Sequence, residues 1–383
     1  MLFQKLSGKN ISPGGLFAWG NGASGATGFG DVASRSLPAQ LGTLTTWTAV
    51  GTGNSNSSGV TSDGKLWTWG SNPQGQLGQG DVVYRSVPTQ VGTLTNWSTV
   101  SSWRTAGFAI GTDGKLWAIG GSNTSVGIMG LGDRVSRSSP VQVGTLATWS
   151  KVSSSDYRAL AIKTDGTLWA WGNNTYGQLG LGDGYAAGNH KHRSSPVQIG
   201  TLATWSQVGV GRTSSVGVKT NGTLWAWGQN HRGQLGLSDT VYRSSPVQIG
   251  TLITWSKVGG GKHAAFAVKT DGTLWAWGNN DSGHLGLGDA YVSSSNRKCR
   301  SSPVQVGALT NWASVSPGNW VDTVLALKTD NTLWAWGNND NGPGGFGDTI
   351  SRSSPVQVGP FRSWSKIPPN ASSNTLAIKN SGV

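Results

Sequence analysis

One five-residue motif, Leu-Trp-x-Trp-Gly, occurs seven times in 383 residues, and this repetition limits the possible folds more than any other feature. Its copies end at Gly20, Gly70, Gly120, Gly172, Gly228, Gly278 and Gly337; Phe17 replaces the first Trp of the first copy and Ile119 the second Trp of the third. Each copy is followed by Pro-x-Gln-x-Gly, with Pro at 38, 88, 140, 196, 246, 303 and 355. A lone Trp comes next, at 47, 97, 149, 205, 255, 312 and 364. The spacing is 50 residues, stretched by insertions to 52, 56 and 59. A period of that length belongs to one small structural unit that buries its apolar faces by stacking on copies of itself.

Within one unit the expected strands are 141–144, 149–153, 159–163 and 168–172. An Asp-Gly pair separates the last two, and it recurs as Asp63-Gly64, Asp113-Gly114, Asp165-Gly166, Asn221-Gly222 and Asp271-Gly272, with Asp330-Asn331 as a variant. Such pairs predict a two-residue hairpin turn of the mirror-image type. Composition agrees with strands: the 16 acidic residues are all Asp, and a helical chain of this size would use Glu. The expectation is an all-β fold, a seven-bladed β-propeller of four-stranded antiparallel blades.

The termini predict how the ring closes. Residues 374–381 read as a third strand without its fourth, and residues 14–20 as a fourth strand without its first three. Pairing them in one shared blade leaves no exposed edge. The expected organisation is an N-terminal extension, 1–13, and a single propeller domain, 14–383. Its blades are placed near 38–70, 88–120, 140–172, 196–228, 246–278, 303–337, and 355–383 together with 14–20.

One cysteine, Cys299, excludes an internal disulfide framework and a multi-cysteine zinc site. The first residues lack the apolar core of a signal peptide, and no stretch approaches 18 apolar residues, so no membrane insertion is expected. A net charge of +13 is compatible with an anionic partner.

Repeated residues are read as builders of the blade. Asp at 31, 81, 133, 183, 239, 289 and 348 and Arg at 35, 85, 137, 193, 243, 300 and 352 form matched sets, expected to fix loops. The remaining Asp residues outside the hairpin turns are few and scattered. Acid–base catalysis needs a positioned acid or base with an orienting partner, so no enzyme is expected. No nucleophile elbow, P-loop or zinc-protease motif is present. His190-Lys191-His192 lacks cysteine or carboxylate company, so neither a metal nor another cofactor is expected.

Residues that break the repeat are the candidates for function. Nineteen of the 21 Trp occupy repeat positions, while Trp103 and Trp320 do not. Both fall in the turn that follows the lone-Trp strand, as do Arg104, Asp156, Tyr157, Arg158, Arg212, Lys262, His263 and Asp322. Equivalent turns emerge on one face of a propeller, giving an aromatic and basic annulus suited to stacking or to receiving acidic groups. Two insertions, 184–192 and 290–300, add His190, Lys191, His192, Arg297 and Lys298 as candidate anion-binding loops.

The repeat as a whole, with Gly261-Lys262-His263-Ala-Ala-Phe-Ala-Val-Lys-Thr-Asp-Gly-Thr-Leu-Trp-Ala-Trp-Gly-Asn-Asn followed by Gly283-His284-Leu285-Gly286-Leu-Gly-Asp289, resembles the regulator-of-chromosome-condensation repeat family over nearly the whole chain. The resemblance implies a propeller whose relatives include a chromatin-bound exchange factor for a small GTPase, a plant UV-B photoreceptor, and bacterial and viral members. Trp103-Arg104-Thr105 echoes the photoreceptor's clusters. The near-identical, Glu-free repeats are similar in style to a bacterial or phage protein. The function expected is a non-enzymatic binding or structural propeller displayed on a virion or cell surface, bound to a glycan, an envelope or a neighbouring protein of a larger assembly. The alternative is an intracellular exchange-factor-like, chromatin- or nucleic-acid-binding propeller, with nucleic acid the less favoured partner. A Trp-based UV sensor is the third reading.

Overall fold

The computed structural model describes residues 14–102, 104–121, 126–155, 157–184, 191–289 and 298–380. The expected extension 1–13 lies outside them. Twenty-eight strands form seven four-stranded antiparallel blades, and the one helical element among the described residues is a short 3-10 turn at Ala23–Gly25. In blade 3 the strands are Trp149–Ser155, Arg158–Lys163, Leu168–Gly172 and Arg193–Gln198, hydrogen-bonded in that order.

This grouping corrects the expected blade boundaries by one strand. The Pro-containing strand is the outer strand of the blade begun by the preceding Trp, and does not open the next blade. Val197 pairs with Ala170, and Gln198 with Trp169. Proline has no N–H to donate, so a strand built on Arg-Ser-x-Pro belongs at a sheet edge. The same shift moves the annulus turns to the connection between the first and second strands of each blade.

Closure occurs as expected between the ends of the chain. Residues Gly14–Gly20 pair in unbroken register with Asn374–Asn380, from Gly14 with Asn380 to Gly20 with Asn374. Blade 7 therefore takes two strands from each end: Trp364–Lys366 and Asn374–Asn380, then Gly14–Gly20 and Arg35–Gln40. A single bridge, Gly14 to Trp47, joins it to blade 1, and the two blades count as one eight-stranded sheet.

The core lies between blades. Seven apolar clusters fill the seven interfaces, each combining strand residues of two neighbours. The second Trp of Leu-Trp-x-Trp-Gly is buried in six blades and donates its indole N–H to a loop carbonyl of the previous blade. Trp171 reaches Ile128 O at 2.7 Å, Trp336 His284 O at 2.8 Å, and Trp19 Pro343 O at 2.8 Å. A Trp here supplies both area and a satisfied polar tip. The motif's terminal Gly is equally constrained: Gly172 has φ of 96°, and a Cβ there would stand 2.2 Å from Tyr157 O.

The Asp-Gly hairpins differ from expectation. Only the second residue has positive φ, for example 83° at Gly166 and 61° at Asn331. Gly166 N bonds Lys163 O and Lys163 N bonds Thr167 O, which makes a type I turn closed by a glycine bulge. Asp165 remains useful, because its carboxylate accepts from Thr167 N at 2.8 Å.

Candidate functional site

All seven repeated Asp–Arg pairs close, at 2.5 to 2.8 Å, from Arg35–Asp31 to Arg352–Asp348. They fix the loop that leads to the outer strand and are partly open to solvent, where screening leaves an ion pair little net energy. In blades 3 and 5 the pair clamps the base of an insertion, Asp183 to Arg193 and Asp289 to Arg300. Of the anion-loop candidates, His190 and Arg297 lie outside the described residues. Lys191 is exposed. His192 accepts Asn174 N through Nδ1 at 3.1 Å, and Lys298 stands 3.9 Å from Asp289. Both side chains have contacts within their own blades, and the Lys298 side chain is still 39% exposed.

The first-to-second-strand turns are brought together over the propeller axis. Trp320, from blade 6, is half-buried; the guanidinium of Arg212, from blade 4, lies 4.5 Å from its ring centre, and that of Arg104, from blade 2, lies 5.7 Å away. The backbone links these turns in sequence: Arg212 N donates to Gly261 O, and Lys262 N to Gly318 O. The indole N–H of Trp320 has no hydrogen-bond partner among the described residues. Stacked guanidinium groups keep in-plane donors for carboxylate or carbonyl oxygens. Trp103 and Asp156, also expected here, lie outside the described residues.

Lys262 pairs with Asp322 at 3.6 Å, and Ser282 Oγ donates to the same carboxylate at 3.2 Å. Burial works against the charge on Asp322, but His284, Lys262 and the Ser282 hydroxyl outweigh it, and the carboxyl titrates below its ordinary value. His263 meets His231 edge to face at 5.1 Å between ring centres. Burial, reinforced by the charges of His231, Arg212 and Lys262, pushes the His263 pKa down to about 3, so the ring is neutral at physiological pH. Tyr157 is 39% exposed and lines, with Tyr176, Arg212, His231 and His263, a cleft of about 380 Å³ spanning blades 3 to 5.

Arg158, expected among the contact residues, lines the same cleft but is buried. It sits on a strand at 1% exposure and donates to the carbonyls of Gly211, Arg212 and Ser214 at 2.7 to 2.8 Å. Its guanidinium ties blade 3 to blade 4.

Beneath Trp320 the channel is filled by the chain itself. Residues 367–373 leave the inner strand of blade 7 and cross the axis. Asn370 donates to Ser154 O of blade 3 at 3.0 Å and its carbonyl accepts from Thr52 of blade 1 at 2.8 Å; Ala371 forms a bridge with Gly318 of blade 6. Ser372 and Ser373 bond the carbonyls of Gly53 and Asn54. This plug gives the annulus a rigid floor.

His231 and His284 escaped the sequence analysis, although the signal was present. His284 replaces the Gln found at 76, 178 and 234 and is buried. Burial also lowers its pKa. No group of three or more His, Cys or Asp able to hold a metal occurs among the described residues.

The fold is a closed ring of seven blades whose axis is crossed by residues 367–373 and whose one face brings Arg104, Arg212 and Trp320 together. The chain belongs to the RCC1-like domain family, whose model matches residues 15–378. Among curated relatives it is similar to the human probable E3 ubiquitin-protein ligase HERC3, 36% identical over 91 residues, which is 23% of this chain and 8% of that protein. It is also similar to the Arabidopsis thaliana ultraviolet-B receptor UVR8, 27% identical over 209 residues, 54% of this chain and 45% of the receptor. Among solved structures, Prp20p of Saccharomyces cerevisiae, described with its binding to Gsp1p and histones, superposes with TM-score 0.81 at 18% identity, covering 97% of this chain and 93% of that one. Human WBSCR16 gives the same score and identity over 96% and 99%. At such identity the likeness shows the fold alone. These relatives are eukaryotic, and they give no support to the expected bacterial or phage origin or to an adhesive role.

Proposed function

We propose that this chain is a non-catalytic RCC1-like propeller that holds an acidic protein partner on its annulus face. The observation that carries this reading is the placement of Arg104 and Arg212 over Trp320 by turns from three different blades. Arg, Trp and Tyr are the residues that dominate the energetics of protein interfaces. A net charge of +13 favours an acidic partner and repels a basic one. Solved relatives with protein partners, Prp20p with Gsp1p and histones and yeast RCC1 with Kap60, support a protein over a glycan. Histones are basic, so a Gsp1p-like protein is the first candidate. The displayed-surface reading rests on composition alone and is set aside.

The test is binding of a Gsp1p-like protein, of a Kap60-like protein and of duplex DNA to the parent chain and to Trp320→Ala and Arg212→Ala. The expected result is binding to a protein, weakened at least tenfold by either change, with unchanged melting temperature. Release of labelled nucleotide on binding would identify exchange activity. Binding to DNA alone, or variants that bind like the parent, would overturn the reading. A second reading, light sensing, draws on the same Trp320–arginine contacts and the similarity to UVR8. A change of oligomeric state under UV-B would favour it.

A further inference from the structure

The opposite end of the axis carries a feature that the annulus does not explain. Each inner strand begins with the lone Trp near the hairpin-turn side of the ring, and the residue two places later holds an equivalent position in every blade. In order these residues are Ala49, Thr99, Lys151, Gln207, Lys257, Ser314 and Lys366. Six of the seven, all but Ala49, line one cavity of about 450 Å³, bounded by the inner strands of six blades and by Pro368 and Pro369 of the plug. Because the plug crosses the axis, the cavity is a blind cup open on the hairpin-turn side.

Three lysines from blades 3, 5 and 7 share this cup, and no Asp is among the residues that line it. The seven repeat Arg residues, by contrast, each have an Asp at 2.5 to 2.8 Å. Lys163, Lys219, Lys269 and Lys328 lie 3.6 to 3.8 Å from Trp ring centres. Within the cup, Lys151 donates to the carbonyl of Ser206 in the next blade. Lys151 and Lys257 are exposed to solvent through the mouth, and Lys366 is half-buried. Loss of hydration, aided by the charge of Lys257, lowers the pKa of both Lys151 and Lys366. Like charges held together in a partly dehydrated cup are relieved by an anion, and ammonium groups are good point-charge ligands for phosphate. Thr99, Gln207 and Ser314 add neutral hydrogen-bonding groups to the same wall. The volume is at the small end of the range for organic ligands, too small for a folded partner to enter.

We infer that the blind cup on the hairpin-turn side is a binding site for a compact polyphosphorylated small molecule, held by Lys151, Lys257 and Lys366. The site is independent of the partner face, since the plug separates the two. Three positive charges match two or three phosphate groups better than one, so affinity rises with phosphate number.

The probe is inorganic tripolyphosphate, compared with orthophosphate by calorimetry at matched ionic strength. Tripolyphosphate should bind at one site per chain and at least tenfold more tightly than orthophosphate. Lys257→Gln and Lys366→Gln should each weaken it about tenfold, while Lys257→Arg retains it. Lys65→Gln, which removes a hairpin lysine paired with Asp63 at 2.8 Å outside the cup, is the control for the overall charge and should change nothing. Unaltered melting temperatures without ligand would exclude a folding defect. The inference fails if tripolyphosphate does not bind, if the cup variants bind like the parent, or if Lys65→Gln weakens binding as much as they do.

Discussion

Replacing Trp19 by Ala tests whether the N-terminal strand is a structural member of the ring or merely laid against it. Trp19 is fully buried, belongs to the cluster between blades 6 and 7, and contacts Trp364 at 6.1 Å between ring centres. Its indole donates to Pro343 O at 2.8 Å. Trp171 occupies the equivalent place in blade 3, where all four strands are continuous, with the same burial and the same kind of bond, to Ile128 O at 2.7 Å. Truncating a buried Trp costs about 3–5 kcal/mol, and the stranded carbonyl adds about 1 kcal/mol. For a chain of this length unfolding as one unit, 4 kcal/mol corresponds to a fall in Tm of about 5 °C. Calorimetry and urea titration of both variants measure the comparison. Closure requires the two losses to agree within about 1 kcal/mol. A Trp19→Ala loss below about 1 kcal/mol, beside a full loss for Trp171→Ala, would refute the pairing of Gly14–Gly20 with Asn374–Asn380.

Further outcomes follow from the same geometry. Joining Asn380 to Gly14 through a Thr-Asp-Gly-Thr turn and opening the chain between Asp165 and Gly166 should yield a folded permutant with Tm within a few degrees of the parent; aggregation would show that the ends do not meet as a hairpin. Acid should destabilise the fold as pH falls from about 6.5 toward 3, because the unfolded chain protonates His263 there while the folded chain, with its pKa down at about 3, does not. The full loss amounts to about 4–5 kcal/mol at most. His263→Thr, which installs the residue of the neighbouring blade, should flatten that slope, and an unchanged slope would contradict the assignment. Arg158→Ala should lower Tm and leave partner affinity unchanged, since its contacts are to the backbone of blade 4; loss of binding at constant Tm would place it back among the contact residues.

The period, the strands and the closure were legible because the apolar residues repeat in the positions that the interfaces use. The phase of the blade was not, because strand pairing ignores loop length. Only a short link separates Gln198 from Trp205, whereas about 20 residues separate Gly172 from Arg193, yet the outer strand pairs back across the longer gap. Pro196 held the missed signal, since a proline marks an edge strand. Trp320, Arg104 and Arg212 stood out in sequence because they break the repeat, and the fold places the two guanidinium groups 5.7 and 4.5 Å from the Trp320 ring. Arg158 misled because a buried guanidinium bonded to carbonyls looks, in sequence, like an exposed one. Lys151, Lys257 and Lys366 were missed because alternate residues of a strand look solvent-facing, and only the ring turns them toward a common axis.

The annulus face is the proposed partner surface. Hydrogen exchange of the chain, alone and saturated with its captured protein partner, measures this directly. Exchange should slow in the turns around residues 104–105, 212–213 and 318–322, with the hairpin turns at Gly64, Gly166 and Gly272 unchanged. Protection confined to the hairpin turns or to the outer strands, with the turn of Trp320 exchanging as in the free chain, would contradict it.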